Sequence, residues 1–120
     1  MKIVVSASGQ SPDSAVDPRF GRAAYFVAVD SDTGAFEARA NTQNLNAVQG
    51  AGIQAAQAVS EMGAEVVITG HCGPKAFRTL AAAGVRVVVG AEGTVQEAVE
   101  AFQSGRLEPT AAPDVEGHWA

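Results

Sequence analysis

One cysteine, Cys72, is all the thiol chemistry this chain has. It cannot close an internal disulfide, so a disulfide-stapled scaffold is excluded, and a reducing, cytoplasmic compartment is the expectation. Histidine is scarce too, with only His71 and His118. One cysteine and two histidines cannot complete a closed four-ligand zinc site from one chain. Aromatic residues make up 6% of the 120 residues, so the core must be packed mainly by aliphatic side chains. Basic residues are outnumbered, eight Lys and Arg against thirteen Asp and Glu, for a net charge of −5. That balance argues against a general nucleic-acid binder, which needs a basic face for phosphates. No apolar run approaches the ~20 residues of a membrane span. No signal peptide is visible, since Met1-Lys2-Ile3-Val4-Val5 enters a strand pattern at once.

What remains is a chain of one-domain size, long enough to bury a core. Its few cations are placed unevenly: Arg19, Arg22, Arg39, Lys75 and Arg78 all fall near predicted loops or element ends. An acidic protein with a local cationic pocket suits a small anion better than a polymer.

Strand patterns occupy residues 2–7, 25–30, 35–40, 66–69 and 85–89. The turn Asp30-Ser31-Asp32-Thr33-Gly34 joins the second and third as a hairpin. Helical spacing runs from about residue 47 to 62, through Val48, Ile53 and Val59, with Asn46 as candidate N-cap and Gly63 as stop. A second helix is expected over 74–83, opened by Pro74 and ended by Gly84. Thr94-Val95-Gln96-Glu97 has the form of a capping box and opens a third helix to Gln103. The order β-β-β-α-β-α-β-α implies a three-layer α/β, ribonuclease-H-like fold around a five-stranded mixed sheet. Its later half must be parallel with right-handed crossovers. We expect one domain over 1–105 and an irregular tail over 106–120.

In such sheets ligands bind beyond the carboxyl ends of the parallel strands. Three segments converge there by this topology. The first is the long loop 8–22, which ends in Phe20-Gly21-Arg22. The second is the segment from Asn41 to Gly50-Ala51-Gly52, and the third is the turn Gly70-His71-Cys72-Gly73-Pro74-Lys75. The last is a glycine-rich strand-to-helix turn, whose unpaired N–H groups sit at the positive end of a helix dipole and suit an anion. Gly50 and Gly52 are costly inside a helix, ~1 kcal/mol each against alanine. They make sense if that first turn lies close to another backbone or a ligand. Cys72 has two readings, a thiolate ligand whose pKa a helix N-terminus lowers or a small residue buried under the turn. His71 is either a ligand or donor to the bound group, or an unattached loop residue. Arg22 offers several donors to an anion or pairs with Asp13 or Asp17. Lys75 stands in a first helical turn, where a cation opposes the dipole.

Taken jointly, Phe20-Gly21-Arg22, Asn41, Gly50-Ala51-Gly52, Gly70-His71-Cys72-Gly73-Pro74-Lys75-Ala76 and Ala83-Gly84-Val85 resemble the dinitrogenase iron–molybdenum cofactor biosynthesis family. That family includes NifX-like proteins and the C-terminal domain of NifB. The resemblance covers roughly residues 2–105. It implies non-covalent binding of an anionic metal–sulfide cluster, as carrier, storage protein or scaffold. The implied cofactor-binding residues are Arg22, Asn41, Gly50, Gly52, Gly70, His71, Cys72, Gly73 and Lys75, with Cys72 and His71 as candidate metal ligands. A chain ending in Glu116-Gly117-His118-Trp119 is most similar to the branch found in sulfate-reducing bacteria, whose cluster contains molybdenum and copper. The alternatives are an iron–sulfur or iron–molybdenum cluster precursor, or an interaction module without cofactor. The implied partners are the cluster and an unnamed donor or acceptor protein, with no nucleic acid and no membrane.

An enzyme is not expected. Ribonuclease-H-like nucleases set carboxylates on the first and fourth strands for two metal ions. Here the first strand and its exit carry Ser6 and Ser8, the fourth ends in Thr69, and Asp13 and Asp17 lie out in the loop.

Overall fold

The protein is described from a computed structural model covering residues 1–41 and 50–111. Its elements are β1 (Lys2–Ala7), β2 (Tyr25–Asp30), β3 (Phe36–Ala40), α1 (Ala51–Glu61), β4 (Val66–Ile68), α2 (Pro74–Ala82), β5 (Arg86–Val88) and α3 (Val95–Gln103). One five-stranded sheet has the order β3-β2-β1-β4-β5. β1 pairs antiparallel with β2 and parallel with β4, so the apolar first strand is central. β2–β3 is antiparallel and β4–β5 parallel.

Strand alternation divides the core into two layers. Val4, Phe26, Ala28, Val67 and Val87 point to the face covered by α1 and α2. Ile3, Val5, Ala7, Val27, Val29, Val66, Ile68 and Val88 point to the face covered by α3. Both faces of β1 are buried, which is why the strand reads as a continuous apolar run rather than an alternating one. The three-layer α/β architecture and the mixed five-stranded sheet expected from the element order are those observed.

Local chemistry explains the boundaries. α3 carries the full capping box: Thr94 Oγ1 accepts from Glu97 N–H at 3.1 Å, and Glu97 Oε1 accepts from Thr94 N–H at 2.9 Å. The hairpin turn is tied by Asp30. Its carboxylate accepts from the N–H of Asp32 and of Thr33, and the Asp32 bond is the main reason its pKa lies below the ordinary carboxylate range.

One expectation is corrected. The described part of the first helix begins at Ala51, with Gly50 as its N-cap in the left-handed region at φ 80°. A right-handed helix cannot pass through a left-handed residue, so Gly50 interrupts the run expected from residue 47. Asn46, Ala47 and Val48 lie outside the described residues, as do His118 and Trp119. The segment after α3 is anchored at its start. Leu107 packs against the α3-side core, and Thr110 N–H donates to Val87 O at 2.7 Å.

Candidate functional site

β3 leads into α1, and β4 leads into α2, at the same end of the sheet: the carboxyl end of β1 and β4. α1 and α2 pack against each other on one face, so their N-termini lie on the same side. Neither has a side-chain cap; the N-cap positions are Gly50 and Gly73. α3, on the opposite face, is fully capped. The N-cap residues of the two helices beside the candidate site thus give their first-turn N–H groups no side-chain acceptor, at the positive ends of two dipoles.

The long loop after β1 is held at both halves. Its first half docks on the start of α3: Val16 N–H donates to Gly93 O, Val95 N–H to Ser14 O and Gln96 N–H to Pro12 O, all at 2.9 Å. Its second half docks on the turn after β4, where Phe20 N–H donates to His71 O at 3.2 Å and Arg19 and His71 form a bridge. A buried strut joins the two. Ser6 Oγ lies 2.8 Å from both Asp17 O and Thr69 Oγ1. Ser6 Oγ is the donor toward both, its one proton shared between the Asp17 carbonyl and the Thr69 hydroxyl oxygen. The ends of β1 and β4 and the loop between them are thereby locked together.

Gly70 is where the loop and turn touch. A Cβ there would stand 2.7 Å from both the Cα and the carbonyl O of Pro18. That contact is backbone, so it cannot be relieved by a rotamer change. Gly70→Ala is expected to cost about 1–3 kcal/mol as an overpacking defect, read as a lower urea midpoint with an unchanged m-value. An unchanged midpoint would show that the Pro18 segment yields freely.

Asn41 explains how Arg22 is placed. Its side chain is 4% exposed, and Nδ2 donates to Gly21 O at 3.2 Å and Ala23 O at 2.9 Å. Those two carbonyls flank Arg22 and also settle which way the amide faces. Oδ1 is buried without a hydrogen-bond partner among the described residues. An amide oxygen only accepts, so it is not an anion ligand. The Asn41 side chain ties down the backbone on either side of Arg22. Below it, Phe20 is fully buried with its ring 5.3 Å from that of Phe26, anchoring the same loop in the core.

The sequence-predicted residues therefore sort by position. Arg22 and Lys75 are exposed at the rim, and among the described residues Arg22 has no ion pair with Asp13 or Asp17. Gly70 and Gly73 are buried in the turn, Gly50 and Gly52 stand at the start of α1, and His71 is half-buried. Cys72 is fully buried in the core beneath the turn, its Sγ 3.7 Å from Gly73 O. The Ser6–Thr69 strut and the Pro18–Gly70 contact were not anticipated. Their only signal was a hydroxyl at the end of each of two apolar strands. Among the described residues no group of three or more His, Cys, Asp or Glu side chains is placed to hold a metal ion. What the site offers is amide N–H groups, guanidinium and ammonium. No helix of the described residues is long and apolar enough to cross a membrane.

The chain resembles several known proteins along nearly its whole length. The orange protein of Desulfovibrio gigas, solved in its apo form, is 46% identical with a TM-score of 0.92, covering 95% of this chain and 96% of that one. A putative NifB protein from Thermotoga, of the DUF35 family, is 38% identical with a TM-score of 0.82, covering 97% and 98%. An uncharacterised protein of Methanocaldococcus jannaschii is 27% identical over 95 residues, 78% of this chain and 80% of that protein. The sequence profile of the dinitrogenase iron-molybdenum cofactor family matches residues 1–105, and the chain belongs to that family.

Proposed function

We propose that this protein holds an anionic metal–sulfide cluster as non-covalent cargo and acts as its carrier, storage protein or scaffold. One observation carries the reading: two packed helices begin side by side with glycine N-caps and no side-chain cap, while the third helix is capped completely. Amide N–H groups at two positive helix ends, with Arg22 and Lys75 exposed beside them, suit a bulky anion. Membership of the iron-molybdenum cofactor family supports a metal cluster as the class of cargo. Similarity to the orange protein, with the closing Glu116-Gly117-His118-Trp119, favours a molybdenum–copper sulfide cluster over an iron–sulfur or iron–molybdenum precursor.

The chemistry asked of the chain is modest. The N–H groups of the Gly70–Lys75 turn, Pro74 excepted, and of the start of α1 would donate hydrogen bonds to the cluster's sulfides, and Arg22 would offset charge. Cys72 is not required, because its sulfur lies under the turn rather than on its surface. No bond of the cluster is made or broken by these groups, so the role is binding rather than catalysis.

The test is retention. Purified protein is mixed with copper(I) and tetrathiomolybdate and desalted, and its visible spectrum and metal content are then measured. Retained colour with stoichiometric molybdenum and copper is expected. Arg22→Glu removes a charged donor worth about 1.5–3 kcal/mol, so retention should weaken about tenfold or more. Loading equal to wild type would remove Arg22 from the mechanism. A wild-type protein that stays colourless but retains an iron–sulfur cluster would move the assignment to the nitrogenase-precursor reading. Displacement of the cluster by inorganic phosphate would mark the site as a general small-anion binder.

A further inference from the structure

The sheet has two edges, and the chain treats them differently. On β5 the residues Arg86 and Val88 bond inward to the β4 side, through Arg86 N–H to Glu65 O and Thr69 N–H to Val88 O. Val87 faces outward, and its carbonyl is taken by Thr110 N–H. The C-terminal segment thus occupies that edge. β3 forms the other edge, and all five of its residues are exposed.

The hydrogen-bond parity of β3 can be read from its flanks. Asn41 N–H donates to Ala24 O and Asp30 N–H to Ala35 O. In the β2–β3 register the bonded pairs are therefore Phe26 with Arg39 and Ala28 with Glu37. The backbone groups of Phe36, Ala38 and Ala40 point away from the sheet, and among the described residues nothing bonds to them.

We propose that this edge pairs antiparallel with the same edge of a second copy of the chain, on a two-fold axis at Ala38. In that register Ala38 faces the partner's Ala38 and Phe36 faces the partner's Ala40, and all these residues present outward backbone groups. Glu37 then lies opposite the partner's Arg39, and Arg39 opposite the partner's Glu37. These are non-hydrogen-bonded pairs, where side chains come closest. The sequence Phe36-Glu37-Ala38-Arg39-Ala40 is thus charge-complementary to itself about its centre. Neither charge has an ion-pair partner among the described residues. On the opposite face Phe36, 51% exposed, meets a small alanine and gains cover. Charged residues commonly protect edges from pairing; here their order makes them matched rather than repulsive. The result is a continuous ten-stranded sheet. β3 runs in the direction of β1, so the two candidate sites fall at opposite ends of it and neither is blocked.

The experiment is sedimentation velocity on the full chain, from low micromolar to about 1 mM, in low salt and in about 1 M salt, where the screening length falls to about 3 Å. The mass should double with concentration, and salt should weaken the association. Ala38→Pro removes an outward N–H that β2 does not use, so it should leave the far-UV circular dichroism unchanged and the protein monomeric. Glu37→Arg should also abolish the dimer, by setting like charges opposite each other. Adding Arg39→Glu to it restores complementarity and should restore the dimer. A wild type monomeric throughout overturns the proposal and leaves the charges as edge protection. So does a dimer indifferent to Ala38→Pro, or a double reversal that stays monomeric while the single reversals do too.

Discussion

Asn41→Asp is expected to cost about 3–5 kcal/mol at neutral pH, although it changes one NH2 to an oxygen. The amide it replaces is 4% exposed and donates to the carbonyls of Gly21 and Ala23. An ionised carboxylate would set an acceptor against two acceptors and bury a charge with no counter-ion. The folded protein would resist that by keeping the new group protonated, which raises its pKa in the native state. The sign follows from linkage. Below the unfolded value of about 3.9 both states are protonated, and the deficit reduces to the one carbonyl that a single O–H leaves bare, about 1–3 kcal/mol. As pH rises, the unfolded chain releases the proton first, so stability falls by about 1.4 kcal/mol per pH unit until the native pKa is reached. Urea unfolding of variant and wild type from acid to neutral pH measures this. A pH-independent difference would mean that the new side chain had swung out of its buried position. Asn41→Ala separates the two contributions. It removes the donors without adding charge, at about 1–3 kcal/mol for each carbonyl left bare, with no new pH dependence.

The second large effect is expected at Phe20. Its ring is fully buried, tilted 43° against Phe26, in a cluster with Ala23, Cys72 and Ala76. Truncation to alanine removes that volume from the junction of loop, turn and α2, for an expected loss of about 3–5 kcal/mol. A domain of this kind has about 5–15 kcal/mol in total, so the variant should fold with a sharply lower urea midpoint. Phe20→Leu keeps most of the volume and should recover more than half of the loss. Amide hydrogen exchange gives a second readout. The Phe20 N–H, bonded to His71 O, should lose protection in Phe20→Ala more than the β1 amides do. A loss below about 1 kcal/mol would show that the loop is not anchored by this ring, and the explanation for Arg22's placement would fail with it.

The elements were legible because their signals are local. β1, β2 and α3 sit where apolar runs, the hairpin turn and the Thr94–Glu97 box place them. The start of α1 was not, because helical spacing does not report backbone handedness, and Gly50 adopts a left-handed conformation. The candidate residues around Gly70 were legible from composition alone, as rare residue types gathered on one turn. Their depth was not. Cys72 and Lys75 stand three residues apart in the sequence, yet one is fully buried and the other exposed. Nothing local distinguishes the underside of a turn from its rim.

By itself, then, the sequence determined the class of fold and the end of the sheet where the candidate residues gather. Strand and helix periodicity, right-handed crossovers and turn residues depend on near neighbours along the chain. The tertiary structure decided where each candidate sits and what it touches. It made Asn41 a brace on both sides of Arg22, and Gly70 the seat of Pro18. It covered one sheet edge with Thr110 while leaving the other to Phe36 and its self-matched charges. These roles depend on contacts between residues 18 to 52 positions apart, such as Asn41 with Ala23 and Gly70 with Pro18. Such pairings exist only once the sheet has brought distant strands side by side.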